Sequence, residues 1–140
     1  MKEGKKIYYT WKQFDDDVKK ILKFIKRKKI KVKWIYGIPK GGLVLGVALA
    51  NHLKVPLFTQ RMSLFKCVRM FYKKEELKHI LVVDDVSDTG GTMLDIPDII
   101  QHYTVTLHKK KRTQFTPDFW CRETEQDTWI IYPWEPKGGK

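Results

Sequence analysis

The sequence predicts an α/β fold, a mostly parallel sheet flanked by helices. Three observations carry this. Short apolar runs at 32–38, 55–60, 80–84 and 105–108 alternate with segments whose apolar residues recur at helical spacing. The run Ile80-Leu81-Val82-Val83 is unbroken by any polar residue, as in a strand buried on both faces of a parallel sheet. A chain of 140 residues with 42% hydrophobic content suits one domain, 1–140, around one core.

The elements follow in order. Thr10 and Gln13 have the spacing of a capping box. Trp11, Phe14, Val18, Ile21, Leu22 and Ile25 then mark one face of a helix over 11–28. Asp15, Asp16 and Asp17 are expected in its first turn and the lysines later, which complements the helix dipole. A strand over 32–38 leads through a glycine-rich turn at 37–42 into a mostly buried helix over 43–53, and 55–60 forms the next strand. Residues 61–78 are basic, weakly patterned and read as a loop or irregular hairpin. After the strand at 80–84, a helix over 91–102 contains Pro97, which should kink or delay it. A strand at 105–108, short strands at 119–122 and 129–132 and a tail at 136–140 complete the chain. Ligands of such sheets sit beyond the carboxyl ends of the strands, here 37–42, 84–92, 108–112 and the stretch after 132.

Composition excludes some classes. No apolar stretch approaches membrane-spanning length, the longest being 42–50, and no secretory signal opens the sequence. Two cysteines, Cys67 and Cys121, make neither a disulfide framework nor a metal cluster, so the reducing cytoplasm is the default expectation. The net charge is +12, and nine of the fifteen residues from 19 to 33 are Lys or Arg. A solvated helix face accounts for that run, and a nucleic-acid patch is the competing reading.

Chemistry concentrates at 80–92. The adjacent acids Asp84 and Asp85 end the strand, and Ser87, Asp88, Thr89, Gly90, Gly91 and Thr92 lead into the following helix. Glycines let backbone wrap an anion, and free N–H groups at a helix start hold it. Paired acids take ribose hydroxyls or a hard cation such as Mg²⁺. Together these features imply a ligand carrying a sugar, a phosphate and a metal. Gly37-Ile38-Pro39-Lys40-Gly41-Gly42 offers a second set of amides between a strand and a helix. Lysines follow the fourth strand at 109, 110 and 111, and Trp129 offers a flat apolar face.

The 80–92 run resembles the phosphoribosyl pyrophosphate (PRPP) signature of the type I phosphoribosyltransferases, and the stretch Gln126 to Glu135 resembles the purine branch that acts on xanthine, guanine and hypoxanthine. The similarity covers residues 8–135 and implies that family's fold with a small C-terminal hood. It implies transfer of the phosphoribosyl group of PRPP to a 6-oxopurine, giving the nucleoside 5′-monophosphate and pyrophosphate, with Mg²⁺. Asp84 and Asp85 would hold the ribose hydroxyls, with Asp85 nearer the metal. Ser87, Asp88, Thr89, Gly90, Gly91 and Thr92 would hold the 5-phosphate. Asp88 is either a proton donor or acceptor near the purine or a helix cap. Lys40, Gly41 and Gly42 would meet pyrophosphate, with a cis peptide at Pro39–Lys40. The family's spacing back from Trp129 selects Lys110 as donor to the 6-oxo group. Trp129 would stack on the ring beside Ile130, and Glu135 would accept from its 2-position or help a metal. Resemblance also implies a homodimer or homotetramer. Arg61, Lys66 or Arg69, in a short segment for the usual mobile loop, would touch pyrophosphate. Two other readings stand beside this: a PRPP-sensing regulator of the same fold that binds nucleic acid, and transfer to another acceptor such as a pyrimidine.

Overall fold

A computed structural model describes residues 4–59, 79–88 and 102–136. Strand β1 (Lys6–Tyr8) precedes helix α1 (Trp11–Arg27). The capping box forms as expected: Thr10 Oγ1 accepts from Gln13 N at 3.1 Å, and Gln13 Oε1 accepts from Thr10 N at 2.9 Å. Phe14, Val18, Ile21, Phe24 and Ile25 face the core, while the lysines face water. No acid lies in the first turn of α1, so Asp15, Asp16 and Asp17 sit one turn later than expected. Asp17 is fully buried and does not serve the helix dipole.

Strand β2 (Trp34–Gly37), helix α2 (Gly42–Leu53) and the two-residue strand β3 (Leu57–Phe58) come next. The expected strand at 55–60 is thus shorter. Strand β4 (Ile80–Ser87) runs through both acids, past the expected end at Asp84. Strand β5 (His102–Lys110) is longer than expected at both ends, and His102 opens it instead of closing a helix. Strands β6 (Phe119–Thr124) and β7 (Trp129–Ile131) match the short strands expected there. The proposed helix at 91–102, with its Pro97, otherwise lies outside the described residues, as do the segment 61–78 and Cys67.

The main sheet has the order β3-β2-β4-β5-β6, and its pairings are all parallel. A second, two-stranded sheet pairs β1 with β7, also parallel. The hood is therefore built from both ends of the chain. A three-residue strand such as β1, with one exposed face, carries too little pattern to be read from sequence.

Helices α1 and α2 pack on each other and on the same sheet face. Ile21, Ile35, Leu45, Leu49, Leu81, Val83, Val105 and Leu107 are wholly excluded from water there. Ile80 and Val82, on the opposite face of β4, are as deeply buried, which is the pattern of a parallel strand covered on both sides. Truncating one such Leu or Ile to Ala costs about 2–5 kcal/mol, so β4 holds the acid pair on a rigid base.

Candidate active site

The carboxyl ends of β2, β4 and β5 meet at one edge of the sheet. The loop after β2 turns through Pro39 and Lys40, whose peptide bond is cis as expected. Gly42 N then donates to Ile38 O at 2.7 Å and starts α2. The close approach explains the paired glycines. A β-carbon on Gly41 would overlap the Asp85 carboxylate, and one on Gly42 would strike the Val83 carbonyl. Lys40 is exposed at the same turn.

Asp84 and Asp85 each fold back on the strand. Asp84 Oδ1 accepts from Asp85 N at 2.8 Å, and Asp85 Oδ1 accepts from Val86 N at 2.7 Å. Burial first pushes both carboxyls above the usual range, and for Asp84 the charge of Asp85 adds to it. Two half-buried acids with raised proton affinity are suited to a cation or to hydroxyl donors. No cluster of three or more metal-ligating side chains occurs among the described residues. Mg²⁺ fits this, because it commonly takes only one or two protein carboxylates and completes its shell with water and substrate phosphate.

A cleft of about 380 Å³ lies beside the pair, lined by Asp85, Asp88, Lys110, Trp129, Ile130 and Glu135 among others. Asp85 and not Asp84 lines it, in keeping with the unequal roles expected of neighbouring strand residues. Lys109 and Lys110 are the last two residues of β5 instead of following it, and strand alternation separates them. Lys109 Nζ meets Glu123 at 2.9 Å and lies 5.0 Å from the Trp120 ring. Lys111 is exposed and pairs with Glu125. Lys110 alone of the three enters the cleft, buried, donating to Thr128 O and, at 3.5 Å, to Glu125 O. Trp129 is 42% exposed, with Lys6 Nζ 5.4 Å from its ring centre. Ile130 is buried beside it. Burial raises the Glu135 carboxyl above its ordinary value, and Asp85 adds to this.

Ser87 is buried, with its hydroxyl 2.9 Å from Thr113 Oγ1 and donating to Phe115 O at 2.8 Å. In this arrangement its side chain braces the 113–115 turn. Asp88 is exposed and its Oδ1 accepts from Gln126 Nε2 at 3.1 Å. Thr89, Gly90, Gly91 and Thr92 lie outside the described residues, as do Arg61, Lys66 and Arg69.

The sequence reading missed several groups here. Gln126 bridges Asp88 and the Arg112 amide. The carbonyls of Glu125 and Thr128 receive Lys110. Tyr132 and His108 stand behind Asp85. A buried network joins α1 to β6: Asp17 accepts from Tyr9 Oη at 2.5 Å and from Arg122 Nε at 2.8 Å, and meets Lys20 at 3.3 Å. In the sequence His108 and Tyr132 stand at the ends of the strands expected over 105–108 and 129–132, and that position does not reveal a partner.

No protein-family model matches the chain. It is 30% identical over 135 residues to the xanthine-guanine phosphoribosyltransferase of Nitratidesulfovibrio vulgaris, covering 90% of this chain and 82% of that one. Its fold superposes on the purine phosphoribosyltransferase of Pyrococcus horikoshii with a TM-score of 0.72 and 27% identity, over 94% of this chain and 95% of that one. The xanthine-guanine-hypoxanthine phosphoribosyltransferase of Helicobacter pylori shares the fold at a TM-score of 0.75 and 18% identity, over 92% of each chain.

Proposed function

The chain belongs to the purine type I phosphoribosyltransferases, enzymes of purine salvage that move the phosphoribosyl group of PRPP onto a purine base, and from that premise we propose both that its acceptor is a 6-oxopurine and how its residues divide the work. The observation that carries the reading is Lys110. Its ammonium has three protons, and two backbone carbonyls take up two of them. Among the described residues that leaves one donor for a ligand, inside a cleft that also contains Trp129 and Asp88. A fixed cationic donor matches the 6-oxo group of guanine, xanthine or hypoxanthine and rejects the 6-amino group of adenine. Trp129 supplies the stacking face beside Ile130, and Glu135 accepts from the 2-position.

Asp84 and Asp85 hold the ribose hydroxyls, and Asp85, on the cleft side, holds Mg²⁺. When bound there, the ion would supply positive charge to offset that of the pyrophosphate. Lys40 and the amides of Gly41 and Gly42 receive the pyrophosphate. Ser87 contributes through its backbone, and Asp88, Thr89, Gly90, Gly91 and Thr92 surround the 5-phosphate. Displacement at C1 of the ribose passes through an oxocarbenium-like state. Asp88 moves the purine proton as the bond to the base forms, with Gln126 holding its carboxylate. Positioning and electrostatics supply most of the rate.

The chain works as one domain and as a homodimer or homotetramer in the cytoplasm. Among the described residues no helix is long and apolar enough to cross a membrane. The nucleic-acid-binding regulator suggested by the +12 charge draws no support from these relatives, which are named as enzymes.

Lys110→Gln tests the assignment. Losing one charge-assisted hydrogen bond costs roughly 1.5–3 kcal/mol, or about 10–150-fold. The expected loss falls on kcat/KM for guanine, with PRPP affinity held within about threefold. Unchanged guanine kinetics would remove Lys110 from the base site.

A further inference from the structure

Tyr132 lies within the segment that lines the base side of the cleft, yet its hydroxyl bonds the backbone of the acid pair. The phenol donates to Asp85 O at 3.1 Å. A phenol has one proton. The imidazole 2.9 Å away must therefore supply the N–H in the second contact, from His108 Nδ1 to Tyr132 Oη. The polar chain runs one way, from His108 on β5 through Tyr132 in the hood to the peptide of Asp85 on β4.

Both rings are buried among aromatic side chains, with Asp17, Arg122 and Lys110 the nearest charges to His108. Tyr132 is 2% exposed and His108 1%. Tyr9 meets both rings edge-on at 5.0 and 5.4 Å, and Trp134 stacks on Tyr132 at 4.8 Å. Burial lowers the His108 pKa to about 4, which keeps the ring neutral with a single N–H. Two polar groups in such a cluster cost desolvation unless bonded, and an apolar pair would fill the same space.

Asp85 O needs this donor. Strand carbonyls alternate in direction. Val83 O accepts from Ile38 N at the end of β2. The next carbonyl on that edge is Asp85 O, and β2 stops at Gly37. The Tyr132 hydroxyl replaces the missing strand.

We propose that Tyr132, oriented by His108, is a positioning residue that locks the base-binding segment of the hood to the peptide of Asp85, so that base site and ribose site keep one fixed spacing. This rests on the assignment of the cleft made above. Tyr132→Phe keeps the ring and deletes the donor, and His108→Phe deletes the orienting N–H. His108→Gln retains an N–H donor.

The full-length protein would be assayed with PRPP and guanine, with Mg·PRPP binding by calorimetry and with thermal melts. Tyr132→Phe is expected to lower kcat at least fivefold and weaken Mg·PRPP binding about fivefold, with KM for guanine within twofold. His108→Phe should match it, the double variant should be no worse than either, and His108→Gln should stay within about twofold of wild type. Wild-type kinetics and binding in Tyr132→Phe would overturn the proposal, and so would additive losses that track the melting temperature. A wild-type protein that binds Mg·PRPP but turns over no purine would sink the base assignment alone, and the calorimetric comparison would still decide this one. Absence of Mg·PRPP binding in the wild type would sink both.

Discussion

Asp84 and Asp85 are adjacent, half-buried and partnered chiefly by their own backbone. Desolvation and like charge make such a pair costly to the empty fold, a cost that binding sites often carry. Asp85→Asn removes one charge at constant shape. It is expected to raise the melting temperature by a few degrees while cutting PRPP-dependent turnover at least about 100-fold, roughly 3 kcal/mol of transition-state stabilisation. A variant that is both unchanged in stability and fully active would contradict this. His108 gives a pH signature of its own. Its unfolded side chain takes a proton near 6.5, whereas the folded imidazole stays neutral down to about 4. Protons therefore favour unfolding between those values. The stability is complete above 6.5, falls as pH falls, and bottoms out below 4 after a loss of about 3 kcal/mol. Asp84 and Asp85, with raised values, pull the opposite way. The test is accordingly the difference in unfolding free energy between wild type and His108→Gln from pH 7.5 to 4, which should shrink as pH falls. At this scale the acid pair was legible because the two residues are neighbours in sequence. Lys110 was reached through spacing, and strand alternation explains why it and not Lys109 faces the cleft. Tyr132 and His108 were not legible, since the contacts that define them join residues 24 and 47 apart.

Among the elements, α1 shows how a pattern can hide a function. Its apolar periodicity and capping box place the helix within one residue of the expected end. Its three consecutive acids looked alike in sequence, yet Asp17 points inward and anchors β6 through Arg122. Arg122→Ala would leave a fully buried carboxylate whose remaining side-chain partners among the described residues are Tyr9 and the half-exposed Lys20. That should cost about 3 kcal/mol and lower the melting temperature by roughly 10 °C, seen by calorimetry, with kinetic constants little changed. A shift under 2 °C would show that the pair is solvated. The loop at 38–42 was legible for a different reason: its two adjacent glycines stand between a strand and a helix, and they answer a close contact with Val83 and Asp85 of β4. Strand β1 was not, because its three residues become a strand only by pairing with β7, more than a hundred residues away.

Across the whole molecule, alternating patterns gave the parallel α/β class, and the carboxyl-edge rule placed the cleft correctly. The strand order β3-β2-β4-β5-β6 puts the loop that carries Lys40 beside the end of β4 that carries Asp85, at the middle of the sheet, with β5 delivering Lys110 next to them. The net charge of +12 was an ambiguous signal. A positive field draws in any polyanion, PRPP included, and only the site says which. The central claim is that this cleft joins PRPP to a 6-oxopurine. The most direct measurement is product chromatography after incubating the protein with PRPP, Mg²⁺ and, separately, guanine, xanthine, hypoxanthine and adenine. The expected result is the nucleoside 5′-monophosphate and pyrophosphate from at least one 6-oxopurine and none from adenine. Turnover of adenine at a comparable rate, or of no purine, would contradict it.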